Sequence, residues 1–140
     1  MRFKKLAALG ATAVMLMSMS LTSVSAANTT DTQWNFTIGT SQISHTTPLR
    51  EKTNSSGVYV YYQGGTPAYL TCDVLNSEYQ SMCHGRIGAI QKGQKARIAQ
   101  YVYEEGWRQC CLKLTAPQAN DGGAGGLWSP DSAGSYPYIN

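Results

Sequence analysis

The chain has 140 residues, 42% of them hydrophobic and only 14% charged. That is enough for one small domain with a modest core and too little for several. Its formal charge of +3 comes from Arg2, Lys4 and Lys5 at the extreme N-terminus; the remaining basic residues balance the 8 acidic ones. The densest basic group after that start is Lys92, Lys95 and Arg97, which is far from the clustered charge that nucleic-acid binding requires.

In chain order, MRFKK is a basic start, Leu6 to Leu21 carries no charge, and SVSAA follows. Val24 and Ala26 stand at the −3 and −1 positions of a cut after Ala26, with a cut after Ala27 as the near alternative. The apolar run is short of the ~20 residues of a spanning helix and is interrupted by Gly10, Ser18 and Ser20. Residues 1–26 therefore read as a cleaved signal peptide, and residues 27–140 as a single exported domain. No integral membrane segment is expected after cleavage.

Residues 28–33 are polar. Trp34, Phe36 and Ile38 then alternate with Asn35 and Thr37, the pattern of a half-buried strand. Residues 39–56, rich in Ser and Thr with one Pro, read as loop. GVYVYY (57–62) is β-branched and aromatic throughout and is the strongest strand signal. GGTP turns it, AYLTCDVL (68–75) reads as the next strand, and MCHGRIGAI (82–90) is placed to pair back onto it. KARIAQYVYEEGW fits a strand or coil start, then about one helical turn stopped by Gly106. RQCCLKLTA (108–116) alternates again, with Cys110, Leu112 and Leu114 on one face. PQANDGGAGG reads as a flexible loop, and GLW opens a last short strand. Short strands punctuated by Gly and Pro predict an all-β fold, a small antiparallel β-sandwich or barrel with about one short helical turn. Its expected core comprises Trp34, Phe36, Ile98, Val102, Leu112, Leu114 and Trp128.

Three stretches, REKTNSSGVYVYY (50–62), KGQKARIAQYVYEEGW (92–107) and GLWSPDSAGSYP (126–137), resemble a family of short exported proteins of Gram-positive bacteria with no assigned function. The likeness spans about residues 49–137, and the Trp-Ser-Pro-Asp-Ser ending is its most specific part. It implies a signal peptide and an all-β exported domain, with no functional residues to carry over. Within that ending, Ser129-Pro130-Asp131 favours a tight turn that lets Trp128 close one end of the core.

All four cysteines, Cys72, Cys83, Cys110 and Cys111, lie in the exported part. An even count in an exported chain reads first as disulfides. A hairpin of AYLTCDVL and MCHGRIGAI would bring Cys72 near Cys83 and contribute up to ~3 kcal/mol on the chain-entropy account. Cys110 and Cys111 would then be a strained bridge or free thiols. The competing pattern joins Cys72 to Cys110 and Cys83 to Cys111. A zinc site is disfavoured, because no Cys-x-x-Cys pair exists and adjacent cysteines chelate one tetrahedral ion poorly. Asp121 alone is too few carboxylates for calcium. No metal and no cofactor are expected.

Leu70-Thr71-Cys72 resembles the nucleophile strand of sortases, with His45 or His84 and Arg86 to complete it. The chain is short for such a domain, His45 stands too near the cysteine, and a bridged Cys72 cannot attack. A hydrolase elbow of the Gly-x-Ser-x-Gly type is missing from the exported part. No catalytic residue is therefore assigned. With 9 tyrosines and 3 tryptophans, the sequence favours non-enzymatic binding. If Val58, Val60 and Tyr62 face the core, Tyr59 and Tyr61 face outward, where tyrosines stack on sugars or peptides. The expected partner is a cell-wall or extracellular glycan or peptide, and the expected location is secreted or wall-associated. A bacteriocin-like antagonist is the alternative function, with a small envelope-acting hydrolase or transpeptidase behind it.

Overall fold

The computed structural model describes residues 26–140, and every regular element in them is a β-strand. The signal-peptide expectation rests on residues outside that range. The strands are β1 (Thr32–Thr37), β2 (Ser44–Thr46), β3 (Arg50–Glu51), β4 (Val58–Gly65), β5 (Tyr69–Asn76), β6 (Gly88–Gln91), β7 (Lys95–Ile98), β8 (Gln109–Thr115) and β9 (Gly123–Ser129). One sheet has the order β1-β9-β4-β7; the other has β2-β8-β5-β6, with β3 also paired to β8. All named pairs are antiparallel. The architecture is a β-sandwich.

The alternation read in the sequence decides which side chains fill the space between the sheets. Val58, Val60 and Tyr62 of β4 meet Trp34, Ile98 and Trp128 from the same sheet. Leu70, Cys72 and Val74 of β5, with Cys110, Leu112 and Leu114 of β8, line the facing sheet. Val102 is buried with them, and Phe36 packs against the cluster from its edge. The large polar-tipped members find acceptors, as burial demands. Tyr62 Oη donates to Pro67 O (2.6 Å), and Trp34 Nε1 donates to Leu127 O (3.2 Å).

Three expectations need correction. The stretch 39–56 holds two short strands, β2 and β3, both on the edge of β8. They are held by backbone pairing and by Thr47, whose Oγ1 accepts from Leu112 N, so hydrophobic alternation does not announce them. MCHGRIGAI is a strand only from Gly88: Cys72 pairs with Gly88, and Cys83 lies in the connecting turn. The segment after β7 holds the single expected turn and no longer helix. Tyr101 to Gly106 is a hydrogen-bonded turn in which Glu105 N donates to Tyr101 O (3.0 Å). Gly106, at φ 87°, stops it as expected.

The third correction is the largest. The glycine run 122–126, expected to be a flexible loop, opens β9, the strand between β1 and β4. Gly126 pairs with Trp34 on one side and Tyr62 on the other. A Cβ there would collide with Tyr61 O and stand 2.7 Å from the Trp34 ring. Glycine is required because the Tyr61 carbonyl and the Trp34 ring both stand against its Cα, a close approach that only a residue without a side chain permits.

Candidate functional site

The stretch WSPDS (128–132) is organised around a buried charge. Asp131 Oδ1 lies 2.6 Å from Lys52 Nζ, and both side chains are fully buried. Lys52 Nζ also donates to Ser56 O (2.7 Å). The other carboxylate oxygen of Asp131 accepts from Asn28 N (2.8 Å), Thr53 N (3.1 Å) and Thr53 Oγ1 (2.6 Å). Burial by itself would raise the Asp131 carboxyl, but the bonds from Lys52, Thr53 and Asn28 outweigh it and hold it below its ordinary value. Ser129 Oγ donates to Asp131 O, and Ser132 N donates to Ser56 Oγ. The REKTNSSG and WSPDS stretches, remote in the chain, thus form one polar knot that also ties down the N-terminal segment. Arg50 completes it, donating to Trp128 O (3.3 Å) and Asn28 Oδ1 (3.0 Å) with its guanidinium 5.4 Å from the Trp128 ring centroid.

Beyond the knot the C-terminal tail runs across the edge of β7. Arg97 N donates to Pro137 O (2.8 Å), Ile139 N donates to Arg97 O (3.1 Å), and the Arg97 guanidinium stacks 4.2 Å from the Tyr138 ring centroid. The tail completes the fold.

This course separates the two tyrosines expected to form a binding face. Both point outward from β4, as the alternation requires. Tyr61 remains half-exposed, with Lys95 Nζ 5.0 Å from its ring centroid. Tyr59 is only 7% exposed, because the tail lays Tyr136 beside it at 5.0 Å between centroids and 42° between planes. Between the tail and the segment entering β1 lies a pocket of about 230 Å³, lined by Thr29, Asp31, Tyr59, Ser129, Ser132, Ala133 and Tyr136. Burial first, then the charge of Asp31, pushes the Tyr59 phenol up to about 12. Tyr59 therefore stays a neutral hydroxyl at physiological pH. Of the expected binding pair the structure brings Tyr59, and not Tyr61, to the pocket. Asp31, Ser132 and Tyr136 escape a sequence reading because their convergence depends on the tail's path; Asp131, which sets that path, was legible only as a turn residue.

The cysteines are four buried free thiols. Neither bridge pattern expected from the sequence is present, and the strand positions explain part of this. Cys83 sits in a turn, its Sγ accepting from Val74 N (3.4 Å), while Cys110 joins the core and Cys111 points to the opposite face of β8. Burial raises every thiol: Cys72 the most, Cys83 and Cys110 to about 12, and Cys111 to about 11. A thiolate nucleophile at Cys72 is disfavoured on that ground. His84 is exposed, 2.6 Å from Glu105 and stacked 4.0 Å from the Tyr101 ring, while His45 stacks on Phe36 at 5.4 Å. Among the described residues no three metal-ligating side chains converge. The expected labelling result follows from the burial. A thiol-specific chromogenic reagent modifies none of the four within minutes in the native state, and all four after denaturation without reductant. Rapid native modification would contradict the buried placement.

No curated protein and no solved structure matches the chain. The family model described as protein of unknown function (DUF2712) does match, over residues 22–132, which include the whole sandwich and the Lys52–Asp131 knot. The chain belongs to that family.

Proposed function

We propose that the protein is an exported binding module that holds a small polar group of a cell-wall glycan or peptide in the Tyr59–Tyr136 pocket. The observation that carries this reading is the pocket's make-up: two tyrosine rings, one carboxylate and a set of hydroxyls, brought together where the tail and the segment before β1 meet β4 and β9. Aromatic faces beside a few fixed polar groups are what a site needs to orient a sugar or peptide moiety. The volume is below the ~300 Å³ at which drug-sized pockets begin, so the bound group is a terminal moiety of a larger polymer. The N-terminal segment supports export with cleavage after Ala26. Asn28, two residues on, is bonded through both its N–H and its C=O to Asp131, and such a cut would give up the bond that Thr53 Oγ1 donates to Ala26 O (3.2 Å) while keeping the Asn28–Asp131 pair.

Co-sedimentation with purified Gram-positive cell walls tests the reading. The exported protein is expected in the wall pellet, and Tyr136→Ala is expected to lower the retained fraction about tenfold while both forms stay folded by circular dichroism. Equal retention of the two, or no retention of either, overturns it.

A further inference from the structure

The pocket is electrostatically one-sided. Among the described residues lining it, Asp31 carries the only full charge, and the rest are hydroxyls, tyrosine rings and an alanine. The two cations of the neighbouring knot are committed elsewhere. Lys52 is taken by Asp131 and Ser56 O, and Arg50 by Trp128 O, Asn28 Oδ1 and the Trp128 ring. Arg50 is near enough for Asp31 to act on it, yet it does not line the pocket.

Two further features point the same way. The faces of Tyr59 and Tyr136 carry the negative end of the ring quadrupole, and their 42° inclination keeps them from stacking flat on one another. Ser132 Oγ is buried at the lining with no hydrogen-bond partner among the described residues, a group that a ligand can satisfy. A carboxylate, an unpartnered hydroxyl oxygen and aromatic faces together favour a cation that donates hydrogen bonds. A carboxylate or phosphate ligand would meet Asp31 with like charge.

Resting on the reading that this pocket is the ligand site, we infer that the group it takes is a primary ammonium, with Asp31 as its counter-ion and Tyr59 and Tyr136 as its aromatic walls. Such a group occurs in walls as an amino sugar or as the free amine of a peptide, and both present the same chemistry to Asp31.

The test is a nitrogen-15 NMR titration of the exported protein with two amines and their neutral counterparts at matched ionic strength. The probes are glucosamine and N-acetylglucosamine, and Nα-acetyl-lysinamide and its doubly acetylated form. Saturable shifts at Asp31, Tyr59 and Tyr136 are expected with the amines only, and the tighter amine identifies the source. Asp31→Asn is expected to weaken amine binding about tenfold, and Asp31→Glu to recover part of it, since only the charge is restored. Asp31 is exposed and outside the Lys52 knot, so the variants should fold, which their spectra report. If the acetylated probes bind as well as the amines, or Asp31→Asn binds unchanged, the ammonium inference falls while the pocket remains the ligand site. If none of the four binds, the inference also falls. Tyr136-dependent wall retention then decides separately whether the binding function stands.

Discussion

Asp131→Asn is expected to lower the free energy of unfolding by about 3–5 kcal/mol at neutral pH, the range for removing one partner of a buried ion pair. The amide leaves the Lys52 ammonium fully buried beside a neutral group. Against a total stability of about 5–15 kcal/mol for a domain of this kind, that is a large fraction. The double variant Lys52→Met/Asp131→Leu is expected to recover only part of the loss. Removing both charges relieves the unpaired cation but strands Asn28 N, Thr53 N and Thr53 Oγ1 without their acceptor. The pH dependence has a definite sign. Because the folded-state carboxyl titrates below its ordinary value of 3.8, its contribution is complete above that value and is lost as the pH falls through about 4 and below. Urea unfolding of wild type and Asp131→Asn between pH 7 and pH 3 should show the two curves converging at the acid end. Parallel curves would mean that the pair is not what holds the knot.

Trp128→Ala is expected to cost about 3–5 kcal/mol, the range for an aromatic truncated in a packed core. Trp128 is fully buried on β9, where Val60 of β4 stands opposite it on one side and Thr32 of β1 on the other. Its ring carries the Arg50 guanidinium, and its carbonyl takes an Arg50 N–H, so the truncation disturbs the knot as well as the core. Tyr138→Ala is the matched control: it sits in the same ending but is half-exposed against Arg97, and a loss of about 1 kcal/mol or less is expected. Equal midpoints for Trp128→Ala and wild type in urea would remove β9 from the core.

The candidate site was only partly legible before the fold was known. Tyr59 was singled out because alternation in GVYVYY sets its face, and face is a local property of a strand. The same argument named Tyr61 with equal force, since it has no knowledge of what lies above each residue. The tail covers one ring and leaves the other beside Lys95. Asp31 and Ser132 carried no signal, as an isolated acid and an isolated serine are ordinary surface residues until the chain ends are brought together. Lys52 is the opposite case: its buried position is unusual for a lysine, and its counter-charge, the Asp131 carboxylate, stands 79 residues away in the chain.

What the sequence determined by itself is the class of fold and most of its interior. Period-two alternation marks β1 and β8, and β-branched and aromatic content marks β4. The expected core residues Trp34, Ile98, Val102, Leu112, Leu114 and Trp128 all lie inside, and for Trp34, Leu112 and Leu114 the reason is local, since burying one face of a strand is dictated by its own residues. The tertiary structure decided what depends on a neighbour. Polar β2 and β3 are strands because β8 offers them a backbone ladder, and the glycine run is a strand because β1 and β4 pair with it on both sides, Gly126 leaving room for Tyr61 O and the Trp34 ring. The pocket exists because Asp131 finds Lys52 and turns the tail over Tyr59. Backbone pairing, close approach and charge compensation are relations between distant segments, and a local pattern of side chains holds no record of them.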